Sequence, residues 1–366
     1  MWEKRLVPGA APDGGPILAV LGKRTFRIAP GMACEPDEEE PLPFVEADEF
    51  GGAGHPLRDP VLRESDLVAW KPRTDVVVHG NAHAPRGKNA FFFDGGISVG
   101  ERSLVIRVFG NRKVDLSSGS IRFSEPEPFR EMPLHSGLAY GGADIWTDPQ
   151  TSLSYPRNPS GRGFAISPPP EHIHGMLLPN LENPAQLLVP GQFLIKSYER
   201  WKQATQPVHC GWTQKHSHPR ILYAGLSPDQ ASDAEAQRQR QIQDMPEVGA
   251  GPGTQPPGRP PVLNSQYYNG AHPLMQLPYL SPGETIRLVY MDPDHPSFAF
   301  TLPPTAPRAV LDLGEGAQTM DMVLHTLEIH KPTNQLSMVW RGACRYAGLS
   351  ALQSVESLFF DVFGED

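Results

Sequence analysis

The sequence predicts a mainly β protein: two β-sandwich-like or barrel-like lobes, a large irregular loop layer and few short helices. Three observations carry this expectation. Short alternating or β-branched apolar runs recur in the first hundred or so residues and again from Thr285 onward. The 366 residues include 41 Pro and 35 Gly, about a fifth of the chain, which leaves little room for long helices. Proline removes a backbone donor and fixes φ, so it gathers in turns, edges and connections. Between Glu125 and Pro190 periodicity disappears while large side chains persist, the pattern of ordered loops packed on sheets.

Taken in chain order, Lys23 to Ile28 places Phe26 and Ile28 on one strand face. The acidic run Asp37 to Glu40 reads as a solvated loop. Asp75-Val76-Val77-Val78-His79-Gly80 has the short β-branched text of a buried strand. Ser103 to Phe109 is a strand ending at Gly110-Asn111, with Arg112-Lys113-Val114 as its return. Ser227-Pro228-Asp229 opens a helix to about Asp244, and Glu247 to Pro261 is a Gly- and Pro-rich linker. Thr285 to Met291 and Ser297 to Leu302 alternate again. Val323 to His330 and Leu336 to Arg341 form a hairpin around a five-residue loop, with Leu336, Met338 and Trp340 on its inner face. The end of the chain, through Leu349, Leu352, Val355, Phe359 and Val362, reads as an amphipathic helix. These divisions give an N-terminal β-rich domain over 1–205, a helix plus linker over 206–262, and a C-terminal β domain over 263–366.

Charge and cysteine usage exclude several function classes. With 32 Lys and Arg against 41 Asp and Glu the net charge is −9, so no nucleic acid and no anionic membrane face is expected as a partner. No apolar run approaches the roughly 20 residues of a membrane span, and Ile17 to Leu21 is too short for a secretory core. The three cysteines are widely spaced and form no C-x-x-C pair, as expected of reduced thiols in a cytoplasmic protein.

The search for chemistry gives an incomplete set. No G-x-S-x-G, H-E-x-x-H, P-loop or S-x-x-K text occurs, so no catalytic residue is assigned and the chain is read as no enzyme. His172-Ile173-His174 and His216-Ser217-His218, with His209 and Cys210, are the residues that could hold a metal; His172, His174, His209 and His218 are the candidate ligands. Both pairs lie beside prolines in irregular segments, so loop histidines without a metal are the plainer reading, and no cofactor is expected. The stronger texts join charge to proline-bounded loops. They are Lys71, Arg73 and Asp75 before a buried strand, then Arg157, Asn158 and Arg162, then Asn180 and Glu182, and finally Trp340 and Arg341. Such side chains suit scaffolding, for example Arg157 or Arg162 against Glu182, because irregular buried backbone must still satisfy its hydrogen bonds. Direct contact with a partner is the second reading. Leu358, Phe359, Phe360, Val362 and Phe363 form an apolar cluster able to enter a partner's groove or to dock on the chain's own domain.

These texts, in this order, resemble a bacterial family known as domain of unknown function 2169. The resemblance is carried by Asp66 to Gly80, Leu104 to Lys113, Pro126-Glu127-Pro128-Phe129, Ala139-Tyr140-Gly141-Gly142 and Asn158 to Phe164. Leu178 to Pro184, Tyr267 to Pro273 and Trp340-Arg341-Gly342 continue it. It implies an accessory of type VI secretion: an adaptor or chaperone that binds a secreted effector, often with a PAAR-type tip, and helps load it onto the valine-glycine-repeat spike trimer. No catalytic residues come with the family. The segment from Thr205 to Pro261 departs from the family pattern. Two rival readings remain, a metal-dependent hydrolase using the loop histidines and a carbohydrate- or envelope-binding β module using Trp146, Tyr155 and Trp201.

Overall fold

The alternating runs assemble into two large sheets in the computed structural model, which describes residues 2–148, 150, 152–196, 204–218, 220–224, 264–314, 316–346 and 358–364. In chain order the principal strands are β1 (Glu3–Ala10), β2 (Pro16–Arg27), β3 (Thr74–His79), β4 (Phe92–Val99) and β5 (Arg102–Phe109). They continue as β6 (Thr285–Val289), β7 (Ser297–Thr301), β8 (Arg308–Asp312), β9 (Val323–His330), β10 (Gln335–Arg345) and β11 (Phe359–Phe363).

The first sheet runs β1-β2-β10-β9-β3 and then the short strand Gln276–Leu277, with Glu35–Pro36 alongside β2. Its pairings are antiparallel except for β3 with β9, which run parallel in the register Val77 to Glu328 and His79 to His330. The second sheet runs Leu181–Glu182, β5, β4, β6 and β7. A third, smaller sheet holds Gln318–Asp321, β8 and β11. The chain is mainly β with few short helices, and among the described residues no sheet closes into a barrel.

Period-two alternation explains the layering. On β2, Leu18 and Val20 enter the main core, while Ile17, Ala19 and Leu21 face a smaller core with Phe44, Trp70 and Val339. A strand buried on both faces reads as a continuous apolar run, as β2 does. The main core lies between the two large sheets, joining Leu336, Met338 and Trp340 to Ile106, Ile286, Leu288, Phe298 and Phe300. Each such side chain stabilises the fold by about 1.5–3 kcal/mol when fully buried. Trp340 is fixed there by edge-on contacts with Trp2 and Phe26. Both large sheets take strands from either side of residues 206–262, so the composition break there does not separate one sheet from another.

Two expectations are corrected. The return strand at Arg112 to Val114 does not pair with β5, because β4 and Leu181–Glu182 already occupy both of its edges; Val114–Asp115 pairs with Arg122–Phe123 instead. Phe359–Phe363 is a strand and not part of a helix, antiparallel to β8. Its alternation buries Val362, which packs so closely on β2 that a Cβ at Gly22 would lie 2.8 Å from Val362 Cγ1. The remainder of the expected terminal helix, the helix at Ser227 to Asp244 and the linker at Glu247 to Pro261 lie outside the described residues.

Candidate functional site

The strap of residues 204–218 crosses the outer edge of the first sheet and is held by buried charges. Arg220 and Glu64, both 1–2% exposed, form a two-pronged ion pair at 2.7 Å on each arm. Arg220 also donates to the carbonyls of Thr213 and Tyr267. Lys71 donates to Asp75 at 2.9 Å and to Thr326 at 3.1 Å, and its ammonium lies 5.1 Å from the Trp212 ring. Asp75 in turn accepts from the backbone N–H groups of Gly270 and Ala271. The approach is so close that a Cβ on Gly270 would fall 2.3 Å from Glu64 Oε2 and 2.8 Å from Trp212. Arg73, by contrast, is exposed and reaches the Gln276 carbonyl.

The loop layer is stitched by amides more than by ion pairs. Asn158 donates to the carbonyls of Ser136 and Tyr140, Arg162 to Asn180 Oδ1 at 3.0 Å, and Asn180 to the Phe109 carbonyl. Glu182 does not meet Arg157 or Arg162. It pairs with Arg112 and accepts from the Leu188 N–H at 2.6 Å. Arg157 instead donates to the Tyr155 hydroxyl. Arg341 is buried over the Trp70 ring at 3.9 Å and donates to His325. Asn158, Arg162, Asn180, Glu182 and Arg341 thus hydrogen-bond within the fold, while Arg157 also lines the neighbouring cleft.

Between the strap, β5 and the loop layer opens a cleft of about 870 Å³, within the range of ligand pockets. Its floor includes Leu104 and the half-exposed Val105, and its rim includes Leu274. His209, His218 and His272 also line it. The rings of His209 and His272 meet edge to face at 6.1 Å. Burial first, and then the neighbouring imidazole, push His209 down to about 3; burial brings His272 to about 4. Both are therefore neutral at physiological pH. His209 Nδ1 is fixed on the Gly211 carbonyl at 3.0 Å.

The four histidines singled out from sequence do not converge. His209 and His218 share the cleft wall, His172 stacks on Trp146 at 3.8 Å, and the exposed His174 accepts from the Leu116 N–H. Tyr155 is fully buried, and Trp201 lies outside the described residues. The three cysteines are free and buried, and burial raises Cys34 and Cys210 to about 12, which makes their thiolates scarce near neutral pH. Of the apolar cluster near the chain end, Val362 is core, while Leu358, Phe359 and Phe363 are exposed and Phe360 is half-buried.

A different set escaped the sequence reading. Among the described residues, the one group of three potential metal ligands is His79, Glu328 and His330. The parallel register sets His79 beside His330, with rings stacked at 4.7 Å, and period-two alternation puts Glu328 on the same face two residues earlier. Burial alone would raise the Glu328 carboxyl, but the adjacent imidazoles of His330 and His79 hold it well below the ordinary carboxylate range. The available signal was the E-x-H text of β9 and a histidine closing the Val-Val-Val run of β3.

A family model described as an uncharacterized protein conserved in bacteria (DUF2169) matches residues 13–341. No curated protein and no solved structure matches the chain. Among the described residues no helix is long and apolar enough to cross a membrane.

Proposed function

The chain belongs to this bacterial family of uncharacterized proteins, and from that premise we propose that it is a non-catalytic adaptor of type VI secretion. In this reading it binds an effector, one with a PAAR-type tip or similar, in the cytoplasm and assists its loading onto the valine-glycine-repeat spike. The observation that carries the reading is the cleft: about 870 Å³, with Val105 46% and Leu274 51% exposed on its walls. A rigid, charge-locked frame supporting an apolar recess suits recognition of an extended apolar segment, because little ordering of the adaptor is needed on binding. The neutral imidazoles of His209 and His272 supply hydrogen-bonding groups without placing a charge in an apolar recess.

Co-expression with type VI effector and spike proteins of the same bacterium tests the proposal. Affinity capture of this chain should bring down the effector, and Val105→Asp with Leu274→Asp should release it while the chain stays folded. Absence of any complex at micromolar concentrations, with secretion unchanged in a deletion strain, would overturn it.

A further inference from the structure

Beyond partner binding, we propose that His79, Glu328 and His330 form a divalent cation site suited to zinc. The three ligand-bearing groups lie within 4.8 Å of one another. His79 Nε2 is 3.1 Å from Glu328 Oε1, and His330 Nε2 is 3.7 Å from Glu328 Oε2. Two ligands held 2.0–2.1 Å from a tetrahedral zinc ion are about 3.3 Å apart, so both separations are close to what an ion seated among the three requires.

The alternative is a plain histidine–glutamate ion pair closing off a buried charge. That arrangement gives His79 a close contact with Glu328 Oε1 but His330 only a 3.7 Å ion pair with Glu328 Oε2. It leaves Glu328 Oε2 and His330 Nε2 buried with no hydrogen-bond partner among the described residues, although Glu328 is 1% exposed and its free oxygen points toward the second imidazole. An unpaired buried polar atom is destabilising, and here two such atoms face one another at 3.7 Å, too long for a hydrogen bond. A cation between them satisfies both.

The surroundings fit the same ion. Two imidazoles and one carboxylate make a borderline donor set, which favours zinc over magnesium or calcium. Trp212 Nε1 donates to Glu328 Oε1 at 3.0 Å, the outer hydrogen bond that commonly orients a ligating carboxylate. The side chains of His79 and His330 are 21% and 15% exposed, so the triad lies near the surface although His330 Nε2 itself is buried. The ligands come from adjacent strands of the main sheet, whose pairing holds them in place without a flexible loop.

The test uses the full-length chain, stripped with a chelator and titrated with zinc against a chromophoric competitor. One equivalent should bind, and cobalt(II) in its place should give the visible absorption bands of a four-coordinate ion. His79→Gln and His330→Ala should each weaken zinc binding by at least about tenfold, and Trp212→Phe by about 10–100-fold. Because His330→Ala could impair folding, its far-UV circular dichroism and urea midpoint are compared with the unsubstituted chain. His79→Gln, on the more exposed ligand, carries the test if they differ. Less than about a tenth of an equivalent bound, or zinc retained undiminished by folded His79→Gln, overturns the site.

Discussion

Two pairs of histidines are connected by the same strap, and they are built on opposite principles. His209 and His272 meet edge to face in the cleft wall with no carboxylate between them, and burial drives both neutral. His79 and His330 stack face to face across a parallel strand pair and share Glu328. The strap touches the first pair through His209 and the second through the Trp212 indole. A buried imidazole pair without an anion is a wall, and the same pair with one becomes a potential ligand set. The carboxylate makes the difference, and it comes from the strand register.

The largest effect should come from removing what holds the strap to both pairs. Arg220→Met leaves Glu64 buried and unpaired and should cost about 3–5 kcal/mol in urea unfolding, since breaking one side of a buried ion pair is more damaging than replacing both. The double variant Arg220→Met with Glu64→Leu should recover much of that loss. A smaller loss, about 1–3 kcal/mol, is expected for Gly270→Ala, because its Cβ would collide with Glu64, Arg220 and Trp212 together.

The pH response reports on the first pair. His209 is depressed to about 3 when folded, against an ordinary value near 6.5. The unfolded chain therefore binds a proton that the folded chain refuses as pH falls below 6.5, and the stability present above that pH declines on the way down toward the folded value. Urea midpoints measured from pH 7 to pH 4 should show this decline, and His209→Gln should flatten it. An unchanged slope in that variant would mean that the cleft wall opens to water before His209 titrates. The smallest effect belongs to the cleft surface itself: Val105→Asp should shift stability by less than about 0.5 kcal/mol, as exposed substitutions usually do, while still removing the apolar recess that a partner would use.

Much of the fold was legible because period-two alternation survives in a single sequence. The hairpin of β9 and β10 emerged with Leu336, Met338 and Trp340 on one face, and β3, β5, β6 and β7 lay where their apolar alternation or β-branched runs placed them. At the C-terminal segment Phe359 and Val362 fit a helical stripe as well as Phe360 and Val362 fit one face of a strand; pairing with β8 decides between them, and that is a tertiary fact. The candidate sites were less legible for the same reason. Glu182 found Arg112, 70 positions away, and His79 meets Glu328 across 249 positions, separations that no local spacing encodes. Loop histidines attracted notice by their density, whereas the triad hid inside runs whose neighbours are core.

The parallel pairing of β3 with β9 also bears on how the chain is made. β3 ends at residue 79, and its partner begins at residue 323; β2 likewise waits for β10, which starts at residue 335. During synthesis the apolar β2 can pair with β1 at once, but its other edge stays open until most of the polypeptide has left the ribosome. Contacts this distant in sequence form slowly, and unpaired strand edges invite aggregation. A nascent chain stalled before residue 323 would present half a sheet to the cell, so the yield of this protein should depend more on chaperone supply and translation rate than a shorter-range β fold of equal length would.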